Sequence, residues 1–334
     1  MTTETLARPN PTPDPERSLR GATPPPGRTS DRVFQVVTLA AGLLVLVVLA
    51  LIVVATASQA RAWFNAEGLS SIFSSNWDPA HHHFGAFGLL YGTLLVSFIA
   101  LLFAVPTSVG IALFVTEVAP RRVRRPIVYT IDLLAAVPSV VFGLWALAEL
   151  IAPLSHIYQS VSSATSGVPL LGTLFANPSG SGEAFMTAGI VVAIMITPIV
   201  TAITREVFVT CPASQKEAAL ALGATRWEMI RGAVFPHGRS GVVSAVMIGF
   251  GRAVGETIAV ALIIGSSPRL TANIFGTGDT MASIIANEFG DASGTWRSAL
   301  IGLGLVLLVL TVIIGIIART VLARADRRLG IVAR

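Results

Sequence analysis

Long uncharged runs alternate with short polar segments along this chain. No Asp, Glu, Lys or Arg occurs between Arg32 and Arg61, Asp78 and Glu117, Glu183 and Arg205, or Arg297 and Arg319. A helix needs about 20 predominantly apolar residues to cross the hydrocarbon core. The gaps therefore predict spans near 33–57, 87–116, 184–206 and 298–320. Two further apolar stretches, near 127–151 and 241–265, are interrupted by ionisable residues and complete a set of six. The fold class expected is an all-α integral membrane protein with six transmembrane helices.

Composition agrees. Of 334 residues, 53% are hydrophobic and 12% charged, where a soluble domain carries roughly a quarter charged residues. That much apolar surface exceeds what a soluble core of this length hides. The net charge of +5 comes almost wholly from arginine, Lys216 being the only lysine. These bases sit in short segments between apolar runs rather than on a folded basic face, which argues against a nucleic-acid partner.

Arginine placement orients the six spans. The N-terminal tail, the 2–3 loop, the 4–5 loop and the C-terminal end together hold 19 basic residues, and the other side only Arg61, Arg269 and Arg297. The positive-inside rule makes the basic side, with both termini, cytoplasmic. Residues 1–32 contain seven prolines among polar residues and are expected to be a disordered tail. The first span is too long for a signal-peptide core and is read as an uncleaved anchor.

Candidate chemistry outside the spans is sparse. His81, His82 and His83 are adjacent, point in different directions and lack spaced companion ligands, so no metal is expected. Cys211 is the only cysteine and forms no intramolecular disulfide. Outer loops 58–86, 152–183 and 266–296 are rich in small polar residues and suit docking or a vestibule.

Residues 211–241, CPASQKEAALALGATRWEMIRGAVFPHGRSG, are unlike a linker. Pro212 suits a first helical turn, and Gly223 stops the helix that follows. Thr225 and Glu228 fit a capping box that opens a second short helix, with Pro236 expected to close it. The pattern predicts two short helices about a glycine corner, offering a small apolar face of Ala218, Ala219 and Leu222 to a partner.

This segment, with Glu217-Ala218-Ala219, Gly223, Ile230 and Pro236, resembles the EAA loop of ABC importer permeases. Phe235 stands where the family pattern has Leu. The segments DRVFQ, FGLLYGTLLVS, APRRVRRP, AVPSVVFGLWAL and GFGRAVGETIAV extend the likeness over about 31–334. Together they are similar to the PstC-type permeases of phosphate importers. The resemblance implies a type I (MetI-like) permease fold over 33–334 and a coupling loop over 211–239. Its coupling helix would be formed by Glu217, Ala218, Ala219 and Gly223. It also implies a homologous PstA-type permease, a PstB-type ATPase dimer that binds the ATP and Mg, and a PstS-type phosphate-binding protein. No P-loop lies in this chain, so no cofactor of its own is expected and the chain is read as a transport subunit rather than an enzyme.

Arg252 and Glu256 lie one helical turn apart in the fifth span and are expected to share a face and pair. Gly251 and Gly255 beside them have the spacing that admits a neighbouring helix. Charges at this depth usually face a bundle interior or a cavity, so Arg252 and Glu256 are the candidate substrate-pathway residues, the competing reading being a structural ion pair or gate that holds the helix interface. Asp132 and Glu149 are expected near opposite ends of the third span. Pro138 and Pro198 are expected to kink helices. Rival readings are a permease for sulfate or molybdate, an ion-gradient-driven transporter, and a membrane-embedded enzyme. The first shares the fold, the second leaves the hairpin unexplained, and the third lacks a nucleophile–base pair.

Overall fold

The computed structural model describes residues 28–328. Most of the tail expected over 1–32 lies outside them, and its last residues begin a helix. The chain divides into two units, one ending at Ala55 and the other starting at Thr56. The first unit is the N-terminal part of α1 (Arg28–Glu67), whose apolar side chains from Val33 to Val54 are largely exposed. That exposure suits a hydrocarbon solvent, in which a helix satisfies its own backbone.

In the second unit, the end of α1 is anchored by Trp63. It is fully buried, donates from its indole to the Phe84 carbonyl (3.1 Å) and packs where Gly302 leaves room. A two-stranded hairpin follows, β1 (Trp77–Asp78) against β2 (His83–Phe84), with Trp77 opposite Phe84. The histidine run forms its turn. His82 takes a left-handed conformation and His81 bonds Asp78 through Nδ1 at 2.7 Å.

The membrane core is built on α2 (Phe87–Leu113), which ends in a π turn over Phe114–Val118. The third crossing differs from expectation. An amphipathic helix α3 (Arg121–Ala135) stops before Pro138, and the spanning helix begins at Ser139 as α4 (Ser139–Trp145). It continues through a π turn over Ala146–Leu150 into α5 (Ile151–Thr165). The span is thus 139–165 rather than 127–151. Pro138 breaks the chain instead of kinking a helix, because a residue preceding proline avoids the α region.

A short helix α6 (Pro169–Leu174) leads to α7 (Phe185–Val209), the most buried crossing, with Pro198 inside it. Helices α2 and α7 pack closely because Gly189 has no side chain to strike Ile99. Ser108 of α2 also donates to the Thr197 carbonyl of α7 at 3.1 Å. Small residues and interhelical hydrogen bonds are the means by which helices associate in lipid. A core of Val96, Ile99, Ala188, Val192, Ile196 and Ile263 fills the centre.

The two short helices expected after Cys211 are α8 (Ala213–Ala221) and α9 (Arg226–Met229). A π turn over Ile230–Val234 leads straight into α10 (Phe235–Val254). The fifth crossing is interrupted at 255–257 and resumes as α11 (Ile258–Ile263). Helix α12 (Met281–Glu288) and the long α13 (Gly294–Arg328) complete the fold. Among the described residues five helices are continuous enough to span a membrane. The stretch expected as the fifth of six, 241–265, is not one helix.

Candidate functional site

The hairpin between α8 and α9 follows from local chemistry. Gly223 sits at φ +82°, a left-handed conformation that side-chain-bearing residues adopt at a cost. The capping box expected from Thr225 and Glu228 is present. The Thr225 hydroxyl accepts from the Glu228 amide at 3.3 Å, and the Glu228 carboxylate accepts from the Thr225 amide at 2.8 Å. Those bonds hold the Glu228 carboxyl below its usual range. Pro236 does not close the second helix. The π turn just before it lets the Phe235 amide reach the Ile230 carbonyl, so the chain passes the proline without breaking.

The hairpin is exposed at its tip and fixed at its root. Leu222 is 89% exposed, Trp227 62%, and Glu217 and Ala218 are also exposed. Ala219, by contrast, turns inward against a buried cluster of Ala112, Phe208, Cys211, Met229, Ile230 and Val234. The small apolar face therefore consists of Ala218 and Leu222 without Ala219. Lys216 adds an ion pair, its Nζ 2.6 Å from the Glu117 carboxylate at the end of α2. Displacement of the tip is thus resisted by contacts to α2, α7 and α10. Beyond that root, α9, the π turn and α10 run on without interruption from Arg226 to Val254.

At the far end of that rod lie the two candidate pathway residues. Arg252 is exposed in the last turn of α10, whereas Glu256 is only 9% exposed, in the break. The pairing expected between them does not form. The chain leaves the helix at Gly255, so Glu256 no longer stands one helical turn above Arg252, and neither makes an ion pair among the described residues. Non-helical backbone at membrane depth is tolerated where it is covered by protein or lines a wet cavity. On its inner face the interrupted segment packs against α4, where Gly143 lets Ala259 approach.

The two sides of α10 differ in a way that assigns its faces. A side chain at Gly249 would collide with Val200 of α7, whereas around Gly251 there is open space, and Gly255 has only its own helix's carbonyl oxygens nearby. Ser240, Ser244, Ile248, Arg252 and Gly255 continue an exposed stripe along the same helix. Among the described residues of the second unit, nothing covers this face.

Sequence reasoning misplaced two carboxylates. Asp132 lies on α3, outside the spanning helix and exposed. Glu149 is not at the end of a span but inside the 139–165 helix, exposed in the π turn. The signal that locates it is Pro138, read as a helix boundary.

Residues 104–330 match the family model described as "Binding-protein-dependent transport system inner membrane component". The chain belongs to this family of ABC importer permeases. Phosphate transport system permease protein PstC of Xylella fastidiosa is 41% identical over 302 residues, 90% of this chain and 93% of that protein. The protein of the same name from Mesorhizobium japonicum is 41% identical over 94% of this chain and 96% of its own length. PstC 2 of Mycobacterium tuberculosis is 42% identical over 89% and 93%. Among solved structures, a bacterial alginate ABC transporter with its periplasmic protein aligns at TM-score 0.55 and 17% identity, over 90% of this chain and 97% of that one. An inward-facing MetNI methionine transporter aligns at 0.54 and 14%, over 74% and 99%. The permease therefore has the MetI-like importer fold.

Proposed function

We propose that this permease is the PstC-type subunit of an ATP-driven importer of inorganic phosphate in the cytoplasmic membrane, with both termini cytoplasmic. The observation that carries the reading is 41% identity to phosphate permeases across nine-tenths of the chain. It is supported by the arginine asymmetry. A homologous PstA-type permease covers the open face of α10. A PstB-type ATPase dimer binds ATP and Mg and grips the hairpin at Glu217, Ala218 and Gly223, while Ala219 ties the same helix to the buried root. A PstS-type protein delivers phosphate from outside.

Closure of the ATPases moves the hairpin, and the continuous α9–α10 rod carries the movement to the break at 255–257. Arg252 offers a planar fork of N–H donors that matches phosphate oxygens. Glu256 accepts a hydrogen bond from the proton that hydrogen phosphate carries and sulfate lacks at neutral pH. Because the two do not pair with each other, neither charge is spent on the other: Arg252 stands on the open face, and Glu256 comes within reach of the solute when the break moves.

The test is phosphate uptake by vesicles from cells whose own permease is replaced by this one. Arg252→Gln and Glu256→Gln are expected to cut uptake at least tenfold at unchanged membrane abundance, since each removes a charge-assisted hydrogen bond of about 1.5–3 kcal/mol. Glu256→Gln should in addition weaken the discrimination against sulfate. Wild-type rates in both variants would remove the pair from the pathway, and absence of uptake by the wild-type chain would remove phosphate.

A further inference from the structure

We infer that the groove formed by α3 and the end of α7 binds the phosphate headgroup of an anionic phospholipid of the cytoplasmic leaflet. The groove encloses about 910 Å³ and is lined by Arg121, Arg122, Arg124 and Arg125 from α3, Arg205 from α7, and Tyr129. No acidic side chain lines it. Arg205 pairs with Glu206 at 2.8 Å, while the four arginines of α3 have no acidic partner among the described residues. Asp132, the one acid of α3, lies beyond the groove lining. The four guanidinium groups of α3, with Arg205 and its Glu206 partner on the other wall, repel one another unless a further anion sits among them, and phosphate oxygens match their forked donors.

The order of residues along α3 distinguishes a lipid from a free ion. Arg121, Arg125 and Tyr129 follow at intervals of four and so share a face, and Leu133 comes next. Tyr129 is 68% exposed and Leu133 70%. Cation, phenol and aliphatic chain thus succeed one another in the order of phosphate, glycerol and acyl chain. Tyrosine suits that intermediate level because one end is apolar and the other wet. Helix α3 also begins three residues after the span that ends at Val118 and stops just before the one that begins at Ser139. That places it at a membrane surface, where basic pockets between helices take lipid headgroups. A dissolved phosphate ion has no use for the exposed apolar end. The inference rests on the membrane orientation proposed above and not on which solute is carried.

The test reconstitutes the full chain in phosphatidylcholine nanodiscs with trace spin-labelled phosphatidylglycerol or phosphatidylcholine. The motionally restricted fraction of each label is then measured. The wild-type chain is expected to prefer phosphatidylglycerol, with Arg121→Gln, Arg125→Gln and Arg205→Gln each lowering the preference by up to about fivefold. Arg205→Gln acts from the other wall, so a folding defect confined to α3 does not mimic the result. Arg226→Gln and Arg231→Gln, of equal charge change outside the groove, should leave it unaltered. An equal loss in those controls would reduce the effect to general surface charge. Displacement of the labelled lipid by millimolar inorganic phosphate, against chloride at equal ionic strength, would make the groove an anion site instead. Loss of the preference once a second permease co-assembles would assign it to an acidic face of that partner. Any of these three results overturns the lipid assignment.

Discussion

Asp279 shows how one buried side chain makes this protein sensitive to pH. It lies outside the spanning segments, 4% exposed, and accepts a hydrogen bond from the Ser283 hydroxyl at 2.7 Å. Burial pushes its carboxyl up from 3.8 to about 6, with the Glu288 carboxylate adding to the effect and the Ser283 bond opposing it. The folded state therefore holds a proton that the unfolded chain has released. The stability this gives is complete below about pH 4 and is lost as pH rises through 6. Asp279→Asn keeps an oxygen acceptor for Ser283 and removes the charge. Thermal unfolding in detergent should find it more stable than wild type above pH 7, by up to about 3 kcal/mol. The difference should vanish toward pH 4. A difference constant between pH 4 and 8 would show that the carboxyl does not titrate in this way. Glu288 is held by a different arrangement: burial raises its carboxyl, while the indoles of Trp296 (2.9 Å) and Trp77 (3.1 Å) donate to it.

At the scale of elements, the α8–α9 hairpin combines an exposed tip with a tied root. Its corner and its cap were legible in the sequence, but the run of helix past Pro236 and the inward turn of Ala219 were not. Gly223, Thr225 and Glu228 act through bonds within a few residues of themselves, so spacing alone predicts them. The root was not legible. Lys216 meets Glu117, 99 positions away in the chain, and nothing in either neighbourhood announces the pair. Glu117→Gln leaves the partly buried ammonium without its partner. We expect faster amide exchange over 213–222, by about tenfold, corresponding to about 1–2 kcal/mol after allowing for the exposure of Lys216. Adding Lys216→Met should recover part of the loss. Unchanged exchange in the single variant would show that the apolar cluster holds the root unaided.

For the whole molecule, the open face of α10 is where the proposed second permease would sit. Arg252 and the glycines at 251 and 255 are uncovered in a segment that also interrupts a membrane crossing, an arrangement that lipid alone would not satisfy. Purification in mild detergent should therefore recover this permease together with a second permease and an ATPase. Full recovery of the chain alone from membranes that retain phosphate uptake would contradict that assembly. Glu149, exposed in a π turn within its span, presents a second charge that needs protein or water beside it.

Hydropathy by itself determined that the chain is a helical membrane protein, where four of its spans run, and which loops carry the arginines, because lipid demands long uncharged helices wherever they occur. Local hydrogen-bond chemistry determined the bent hairpin in the same way. Only the tertiary structure decided that the third crossing starts after Pro138 and that the fifth is broken beside Gly255. It alone separated Arg252 from Glu256 and gathered arginines from α3 and α7 into one groove. Those features depend on which helix face meets which neighbour, and on where backbone freed from a helix finds cover, and no periodicity along a single segment encodes either.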